Sequence, residues 1–201
     1  MRRLAAVVLA CLVLSGCAGQ HDPGSSGQGA SVDVDTPALR AAKAEAGVEP
    51  CRATATTGVT GGLPDVTLPC LGGGPAVDLQ GLRGPMVVNL FAQWCGPCRH
   101  ELPYYQQLHR ASGGRVEVVG VDYLDTQPGR ALQLAARSGV TFPLLADPDG
   151  RLRRDLKVRA LPGIVFVDAA GKVSRVEFRS FGSYAELRDL VEQRLDLTLP
   201  A

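Results

Sequence analysis

Trp94-Cys95-Gly96-Pro97-Cys98 is the stretch that decides the predicted fold and chemistry of this chain. The run before it, Met86-Val87-Val88-Asn89-Leu90-Phe91, is apolar and rich in β-forming residues, which is typical of a buried parallel strand. Good helix formers follow over residues 99–108, so we expect Cys95 to stand where a helix begins. Unpaired backbone N–H groups and the helix dipole favour a thiolate over a thiol at that point. We therefore expect Cys95 and Cys98 to form and break a disulfide bond with each other.

Patterns of apolar and turn-forming residues on either side of this junction predict further strands and helices. Because strands alternate with helices around the central junction, the sequence predicts an α/β domain. The expected elements are a hairpin over 63–78, a strand over Met86–Phe91, a helix over 97–111 kinked at Pro103, a strand over 115–121, an added helix over 128–138, a turn over 147–150, a short helix over 152–156, a second hairpin from 164–167 and 172–178, and a last helix over Tyr184–Leu195.

The first 17 residues have the pattern of an export signal. Arg2 and Arg3 supply a basic start, and the apolar stretch over 4–14 is too short to span a bilayer. Leu14-Ser15-Gly16-Cys17 then resembles a bacterial lipobox, in which the cysteine is lipidated and becomes the first residue of the mature protein. This interpretation predicts an exported protein, lipid-anchored through Cys17 to the outer face of the cytoplasmic membrane. The alternative is an ordinary signal peptide that ends near Ala18.

Residues 18–50 are expected to form a flexible tether, because Gly, Ser and Gln dominate the part over 18–30. A short helix can form at 37–46. The folded domain is then expected to occupy residues 51–201.

The cysteine count leaves one further pair. Six cysteines occur; Cys11 lies in the export signal and Cys17 is the expected lipid site. If Cys95 pairs with Cys98, Cys51 and Cys70 remain, and an exported protein retains such a disulfide. It would close a loop of about 20 residues and stabilise the fold by about 3 kcal/mol. The alternative is that Cys51 or Cys70 serves as a resolving thiol.

The charge balance gives no reason to expect a nucleic-acid partner. The chain has 21 basic and 20 acidic residues, for a formal net charge of +1. Nucleic-acid binding needs a clear excess of positive charge on one surface.

Two stretches together resemble the TlpA/ResA type of membrane-tethered thiol–disulfide oxidoreductase, within the thioredoxin superfamily and its AhpC/TSA–redoxin-like members. They are VNLFAQWCGPCRHELP over 88–103 and VRALPGIVFVD over 158–168. The resemblance covers residues 63–195. It implies a thioredoxin-like α/β fold, with a central mixed sheet flanked by helices, an N-terminal β-hairpin and an inserted helix.

The resemblance also implies roles for single residues. Cys95 matches the exposed nucleophile and Cys98 the buried resolving thiol. Leu161-Pro162 matches a substrate-binding position whose cis-proline keeps a backbone edge open for an extended substrate; an ordinary trans turn proline is the alternative. Gly163 stands where a threonine often follows that proline, which predicts a looser or differently shaped groove.

Three supporting positions complete the expected site. Asn89 stands where thioredoxins proper carry a buried acid, and an amide cannot accept the proton of Cys98. Glu101 lies three residues after Cys98 on the same helical face, so we expect it to exchange protons with that thiol. The alternative for Glu101 is an acid that only complements the helix dipole. Trp94 is expected to shield the motif, or to serve packing alone.

The function that this resemblance implies is reduction of protein disulfides in the cell envelope, for example in apocytochromes c awaiting haem. A membrane thiol–disulfide electron carrier would restore the dithiol. The redox-active disulfide needs no cofactor or metal ion. The alternative direction is oxidation or isomerisation of disulfides in exported proteins.

Three other functions are less consistent with the sequence. Copper chaperones of this fold use a CxxxC spacing and a distant histidine, whereas here the spacing is CxxC and no histidine follows His109. Thiol peroxidases carry PxxxTxxC around the reactive cysteine, which is absent around Cys95. A non-catalytic binding lipoprotein would need both cysteines only for structure, yet so short a loop restrains little chain entropy.

Overall fold

The computed structural model describes residues 31–54 and 57–200, and its compact unit begins at Val32. Its elements alternate between strands and helices, as the sequence predicts. In chain order they are α1 (Pro37–Ala46), β1 (Thr67–Leu68), β2 (Val77–Asp78), a 3₁₀ turn (Leu79–Gly81), β3 (Met86–Phe91), α2 (Gly96–Ala111), β4 (Glu117–Tyr123), α3 (Pro128–Arg137), β5 (Leu144–Asp147), β6 (Gly163–Val167), β7 (Val173–Glu177) and α4 (Tyr184–Leu195).

The main sheet is mixed and has the strand order β5-β4-β3-β6-β7. Strand β3 lies at its centre, parallel to β4 and antiparallel to β6. All six residues of β3 are buried, which explains why its sequence is almost continuously apolar. The strand that leads into the two cysteines is therefore held on both sides by neighbouring strands.

The two faces of the sheet carry two separate cores, because successive side chains of a strand point to opposite faces. Val87 and Phe91 of β3 pack into a core with the four helices. Met86, Val88 and Leu90 pack into the other core, which includes the small β1–β2 hairpin. Helices α2 and α4 pack against each other on the first face, so the helix that follows the cysteines is covered by the last helix.

The segment before the hairpin belongs to the domain, which corrects the boundary expected at residue 51. Helix α1 has the bounds expected from the sequence, with Thr36 capping its start and Gly47 in a left-handed conformation at its end. It packs against α3, and Leu39 lies in the helix-side core. Buried Lys43 fixes the helix further, since its Nζ donates to the Gly73 carbonyl at 2.8 Å and lies 2.9 Å from Cys70 Sγ. The expected tether over 18–30 lies outside the described residues.

Three elements differ locally from the predicted ones. Strand β5 was not predicted, because four residues next to a turn are too short to show a periodic pattern. The short helix expected over 152–156 is a series of turns, and Leu152 and Leu156 are buried without a helix. Strand β4 is shifted two residues from the expected 115–121.

Helices long and apolar enough to cross a membrane do not occur in the described ranges.

Candidate active site

Cys95 and Cys98 form a disulfide at the junction of β3 and α2. The S–S distance is 1.98 Å and the two Cα atoms are 5.3 Å apart. Cys98 is completely buried, whereas Cys95 keeps 4% of its surface exposed. Cys95 is therefore the more accessible sulfur, although in this oxidised state it is far less exposed than the nucleophile implied by the resemblance.

Helix α2 begins directly after Cys95, which is its N-cap residue. The Cys98 backbone N–H donates to Cys95 Sγ at 3.3 Å. A helix N-terminus favours negative charge because its first N–H groups have no partner within the helix. Negative charge on the Cys95 sulfur of the reduced protein would thus be stabilised where the structure places it. The helix continues through Pro103 to Ala111.

Trp94 stands beside the disulfide with 52% of its surface exposed. Its indole N–H donates to the Leu124 carbonyl at 3.2 Å, which fixes the ring against the loop after β4. Asp125 of the same loop accepts the Gln93 N–H at 2.8 Å and the Gln127 N–H at 2.9 Å. The loop that carries Gln93 and Trp94 is therefore held in place by the loop that follows β4.

Glu101 is completely buried in α2, one helical turn after Cys98. Its Oε2 accepts the Phe181 backbone N–H at 3.1 Å, and its Oε1 has no hydrogen-bond partner. Burial raises the pKa of Glu101 to about 8, and the negative charge of Glu186 adds to this effect. The Phe181 N–H and the Asn89 amide act in the opposite direction. A carboxyl with this pKa can both give and take a proton near neutral pH.

Asn89 and Tyr105 surround Glu101 with two further buried polar groups. Both side chains are fully buried, and neither has a partner within hydrogen-bond geometry. Burial raises the pKa of Tyr105 well above its usual value, and the charge of Glu101 adds to the rise. These three polar groups lie in the helix-side core, within electrostatic reach of one another.

Asp122 forms a second buried acidic group, at the end of β4. Burial raises the pKa of Asp122 well above its usual value, and the neighbouring Asp125 raises it further. Asp122 Oδ1 has no hydrogen-bond partner. No sequence motif marks Asp122 and Asp125 as site residues. Their position at and just after the end of β4, at the edge of the sheet where the two cysteines lie, is the sequence signal that indicates them.

Leu161 and Pro162 lie at the same edge of the sheet as the cysteines. Gly163 pairs with Leu90 across β6 and β3, so the residue before Gly163 falls next to the end of β3. The Leu161–Pro162 peptide bond is cis. A Cβ added to Gly163 would lie 3.2–3.3 Å from Leu90 and Phe178, so those side chains already occupy the space that a threonine would need. The absence of a side chain at 163 does not loosen the groove at this point.

The second disulfide lies away from these groups. Cys51 and Cys70 are bonded, with their Cα atoms 6.0 Å apart, and both belong to the core on the hairpin side of the sheet. Cys95 and Cys98 belong to the other core. Cys17 lies outside the described residues.

Metal-binding groups of three or more His, Cys, Asp or Glu side chains are not found over 31–54 and 57–200.

Two contacts at the site join residues that are far apart in the sequence. The bond from Gln93 to Asp125 joins residues 32 apart, and the one from Phe181 to Glu101 joins residues 80 apart. The contact with Glu101 is made by the backbone N–H of Phe181, which every residue except proline has. The residue type at position 181 therefore does not indicate this contact.

Comparison with known proteins gives a consistent set of matches. A model of the AhpC/TSA family matches residues 59–176. The Bacillus subtilis (strain 168) thiol-disulfide oxidoreductase ResA is 34% identical over 107 residues, 51% of this chain and 58% of the relative. The thiol:disulfide interchange protein CycY of Rhizobium leguminosarum bv. viciae is 34% identical over 101 residues, 49% of this chain and 53% of the relative. The chain thus spans little more than half the length of these two relatives.

A solved structure supports the same fold. A secreted Mycobacterium tuberculosis disulfide oxidoreductase, homologous to E. coli DsbE, superposes with a TM-score of 0.57 at 25% identity. The superposition covers 64% of this chain and 96% of that one. These matches confirm the resemblance to TlpA/ResA-type proteins and the expected α/β fold with its mixed sheet.

Proposed function

The chain belongs to the AhpC/TSA family, and we propose that it is an envelope thiol–disulfide oxidoreductase whose Cys95–Cys98 pair reduces disulfides in other proteins. The observation that carries this proposal is the position of the pair. The disulfide closes at the start of a helix, one sulfur accepts a helix N–H, and the other lies one turn from a buried carboxyl group. The names of the relatives ResA and CycY, which describe thiol–disulfide exchange, support the same class of reaction.

The proposed reaction starts from the reduced protein. The Cys95 thiolate attacks one sulfur of a client disulfide, the client S–S bond breaks, and the other client sulfur leaves as a thiolate that takes up a proton. Cys98 then loses its proton and attacks Cys95 Sγ, which releases the second client sulfur as a thiol. Two electrons pass from the Cys95–Cys98 dithiol to the client, and no cofactor is needed.

Glu101 is proposed to exchange the proton of Cys98. A folded-state pKa of about 8 allows Glu101 to take or give a proton near neutral pH, one helical turn from Cys98. Asn89 carries an amide, which cannot accept the proton of Cys98. It lies near Glu101 and lowers the pKa of that carboxyl slightly.

The proposed direction is reductive, because the Gly96-Pro97 dipeptide is that of reducing thioredoxins. Clients of this kind include apocytochromes c, whose thiols must be free before haem is attached. A membrane thiol–disulfide carrier would return electrons to the Cys95–Cys98 disulfide. The second candidate direction, oxidation or isomerisation of exported proteins, uses the same two sulfurs.

The reduction potential of the pair tests the direction. A value near the roughly −270 mV of thioredoxin is expected, whereas a value near the roughly −120 mV of DsbA would contradict the reductive proposal. Equilibration with glutathione or dithiothreitol buffers, followed by alkylation and mass spectrometry of the Cys95 and Cys98 peptide, gives this value without interference from the second disulfide.

Covalent trapping tests the roles of the two sulfurs. Cys98→Ser is expected to accumulate clients linked through Cys95, because the resolving step is lost. Cys95→Ser, the matched control, is expected to trap none. Equal trapping by the two variants would contradict the assignment of Cys95 as the nucleophile.

The proposed location is the outer face of the cytoplasmic membrane, with a lipid on Cys17. The lipobox-like Leu14-Ser15-Gly16-Cys17 supports this proposal. Growth with an alkyne-bearing fatty acid is expected to label the native chain and not a Cys17→Ala variant. Equal labelling of both chains, or labelling of neither, would contradict the lipid site.

A further inference from the structure

The segment between β5 and β6 is strongly basic, although the chain as a whole is nearly neutral. Between positions 151 and 159 there are five basic residues and one acidic residue, Asp155, whereas the formal net charge of the whole chain is +1. The five basic residues are Arg151, Arg153, Arg154, Lys157 and Arg159. Positive charge is therefore concentrated in one short loop.

All five basic side chains of this loop are exposed, while the apolar residues between them are buried. Within the described ranges none of the five forms a salt bridge; arginines elsewhere, such as Arg179 with Glu186, do. Three of the five have neutral partners. The Arg151 guanidinium donates to the Thr67 carbonyl at 2.5 Å, Arg153 Nε lies 3.4 Å from Tyr123 Oη, and the Arg159 guanidinium lies 5.1 Å from the centre of the Phe178 ring. These contacts position the three cations without neutralising them.

The loop borders a groove next to Trp94, the residue that precedes Cys95. The groove has a volume of about 360 Å³, and its walls include Trp94, Leu161, Arg153 and Arg159. Trp94 directly precedes Cys95. Among the described residues, it is the large apolar side chain that is exposed to solvent. Apolar surface thus lies next to the reactive sulfur, with two unneutralised guanidinium groups along the same groove.

We propose that this groove binds an extended client segment that carries acidic side chains next to its cysteine. Trp94 and Leu161 would contact the peptide chain, while Arg153 and Arg159 would pair with client carboxylates. Guanidinium groups bind carboxylates through charge-assisted, often bidentate hydrogen bonds, and a basic cleft also raises the rate of encounter with an acidic partner. The inference rests on the proposed thiol–disulfide exchange at Cys95 and adds the class of client.

Three peptides of one length, identical except for charge, test the preference. Each carries one cysteine joined to thionitrobenzoate and flanked by Glu, Gln or Lys. In the reduced full chain Cys95 attacks the peptide sulfur, thionitrobenzoate leaves as a coloured thiolate, and Cys98 then displaces the peptide thiol. The Cys95–Cys98 dithiol is oxidised by two electrons, and the mixed disulfide of the peptide is reduced to two thiols.

The Glu peptide is expected to react about tenfold faster than the Lys peptide at low ionic strength. The Gln peptide should react at an intermediate rate. The preference should shrink as salt is added, because the screening length falls to about 10 Å at 0.1 M.

Charge reversal locates the preference in the groove. Arg153→Glu with Arg159→Glu is expected to reverse the order of the Glu and Lys peptides. The neutral pair Arg153→Gln with Arg159→Gln should abolish the preference without reversing it. A matched control is Arg110→Glu with Arg137→Glu, which makes the same change in net charge. Both of these arginines are exposed, and Arg110 lies about 18 Å along α2 from Cys98.

Two results would overturn the inference while leaving the proposed function intact. One is reduction of all three peptides at the same rate; the other is an equal effect of the control pair and of the groove pair. Failure to reduce even the Gln peptide would instead contradict the proposed function. A third contrary result is binding of the unlipidated full chain to phosphatidylglycerol vesicles through Arg153 and Arg159 with no peptide preference, since the basic loop would then face lipid.

Discussion

At position 101 a carboxyl group is buried completely, with one oxygen bonded to the Phe181 N–H and the other unpaired. Burying an ionisable group in this way lowers stability, because the charged form loses its hydration. Such a residue is retained where its altered pKa serves the chemistry. The structure supports this interpretation over a role in complementing the helix dipole, because a dipole-complementing acid has no need to be buried.

Replacing Glu101 by Gln is expected to stabilise the oxidised protein at high pH and to change little at pH 5. Below the unfolded value of 4.5 the carboxyl is protonated in both states and contributes no pH dependence. Between 4.5 and about 8 the unfolded chain loses the proton while the folded chain keeps it, so wild-type stability falls as pH rises. The shift corresponds to at most about 5 kcal/mol at pH 9.

Urea unfolding at pH 5 and pH 9, followed by circular dichroism, measures this difference. Glu117→Gln, which changes an exposed acid on β4, is the control and should change stability similarly at both pH values. An equal gain for Glu101→Gln at both pH values would contradict the raised pKa.

Asp125 is expected to hold the loop that carries Trp94. Asp125→Ala removes the acceptor for the Gln93 and Gln127 N–H groups, and should lower the free energy of unfolding by about 1–3 kcal/mol. It should also slow client reduction, because Trp94 and the start of α2 lose their support. Thr126→Ala, an exposed neighbouring change, should do neither. Thermal unfolding and insulin reduction measure the two effects, and an unchanged rate would contradict the role in positioning.

At the scale of single residues, the sequence identifies those site residues whose roles depend on residue type and spacing along the chain. Cys95, Cys98 and Glu101 are spaced three residues apart, beginning at the N-cap of α2. This spacing predicts that their side chains lie close together. Asp125 and the Phe181 N–H reach the site only because β4 and α4 fold beside α2. Their contribution depends on tertiary contacts that no local pattern records.

At the scale of elements, the start of α2 is the feature that activates a sulfur. Cys95 caps the helix and accepts the Cys98 N–H, so a thiolate is stabilised there in the reduced protein. The pKa of the reduced Cys95 is therefore expected to lie below the value of about 8.5 of a free thiol.

The rate of iodoacetamide alkylation as a function of pH measures this pKa. A Cys98→Ser background leaves Cys95 as the free thiol of the pair, while the Cys51–Cys70 disulfide stays closed. A single titration near 8.5 would contradict activation by the helix terminus.

The predictability of elements depended on how much local signal each one carries. Helix α4 has the expected bounds, because Ser183 caps it and its apolar residues recur at helical spacing. Helix α1 has the expected bounds too, yet its packing against α3 was missed. Only the fold shows that Leu39 and Lys43 are covered.

At the scale of the whole molecule, the Cys51–Cys70 disulfide joins the segment after α1 to the hairpin region. Replacing both cysteines by Ala is expected to lower the free energy of unfolding by about 3 kcal/mol, since the bond spans 19 residues. The rate of client reduction should be unchanged, because this disulfide and the Cys95–Cys98 pair lie in different cores.

Urea unfolding and insulin reduction measure these two quantities. Unchanged stability together with loss of activity would show that Cys51 and Cys70 take part in electron transfer as resolving thiols.

The same disulfide determines how the sheet ends on one side. Strand β5 is the outer strand, and its free edge is covered by the chain at Cys70: the Leu71 N–H donates to the Leu144 carbonyl at 2.9 Å, and the Ala146 N–H donates to the Pro69 carbonyl at 3.0 Å. An uncovered edge is a template on which another chain can add a strand. Keeping the Cys51–Cys70 bond oxidised therefore protects solubility as well as fold, and a strongly reducing medium is expected to promote aggregation from this side of the molecule.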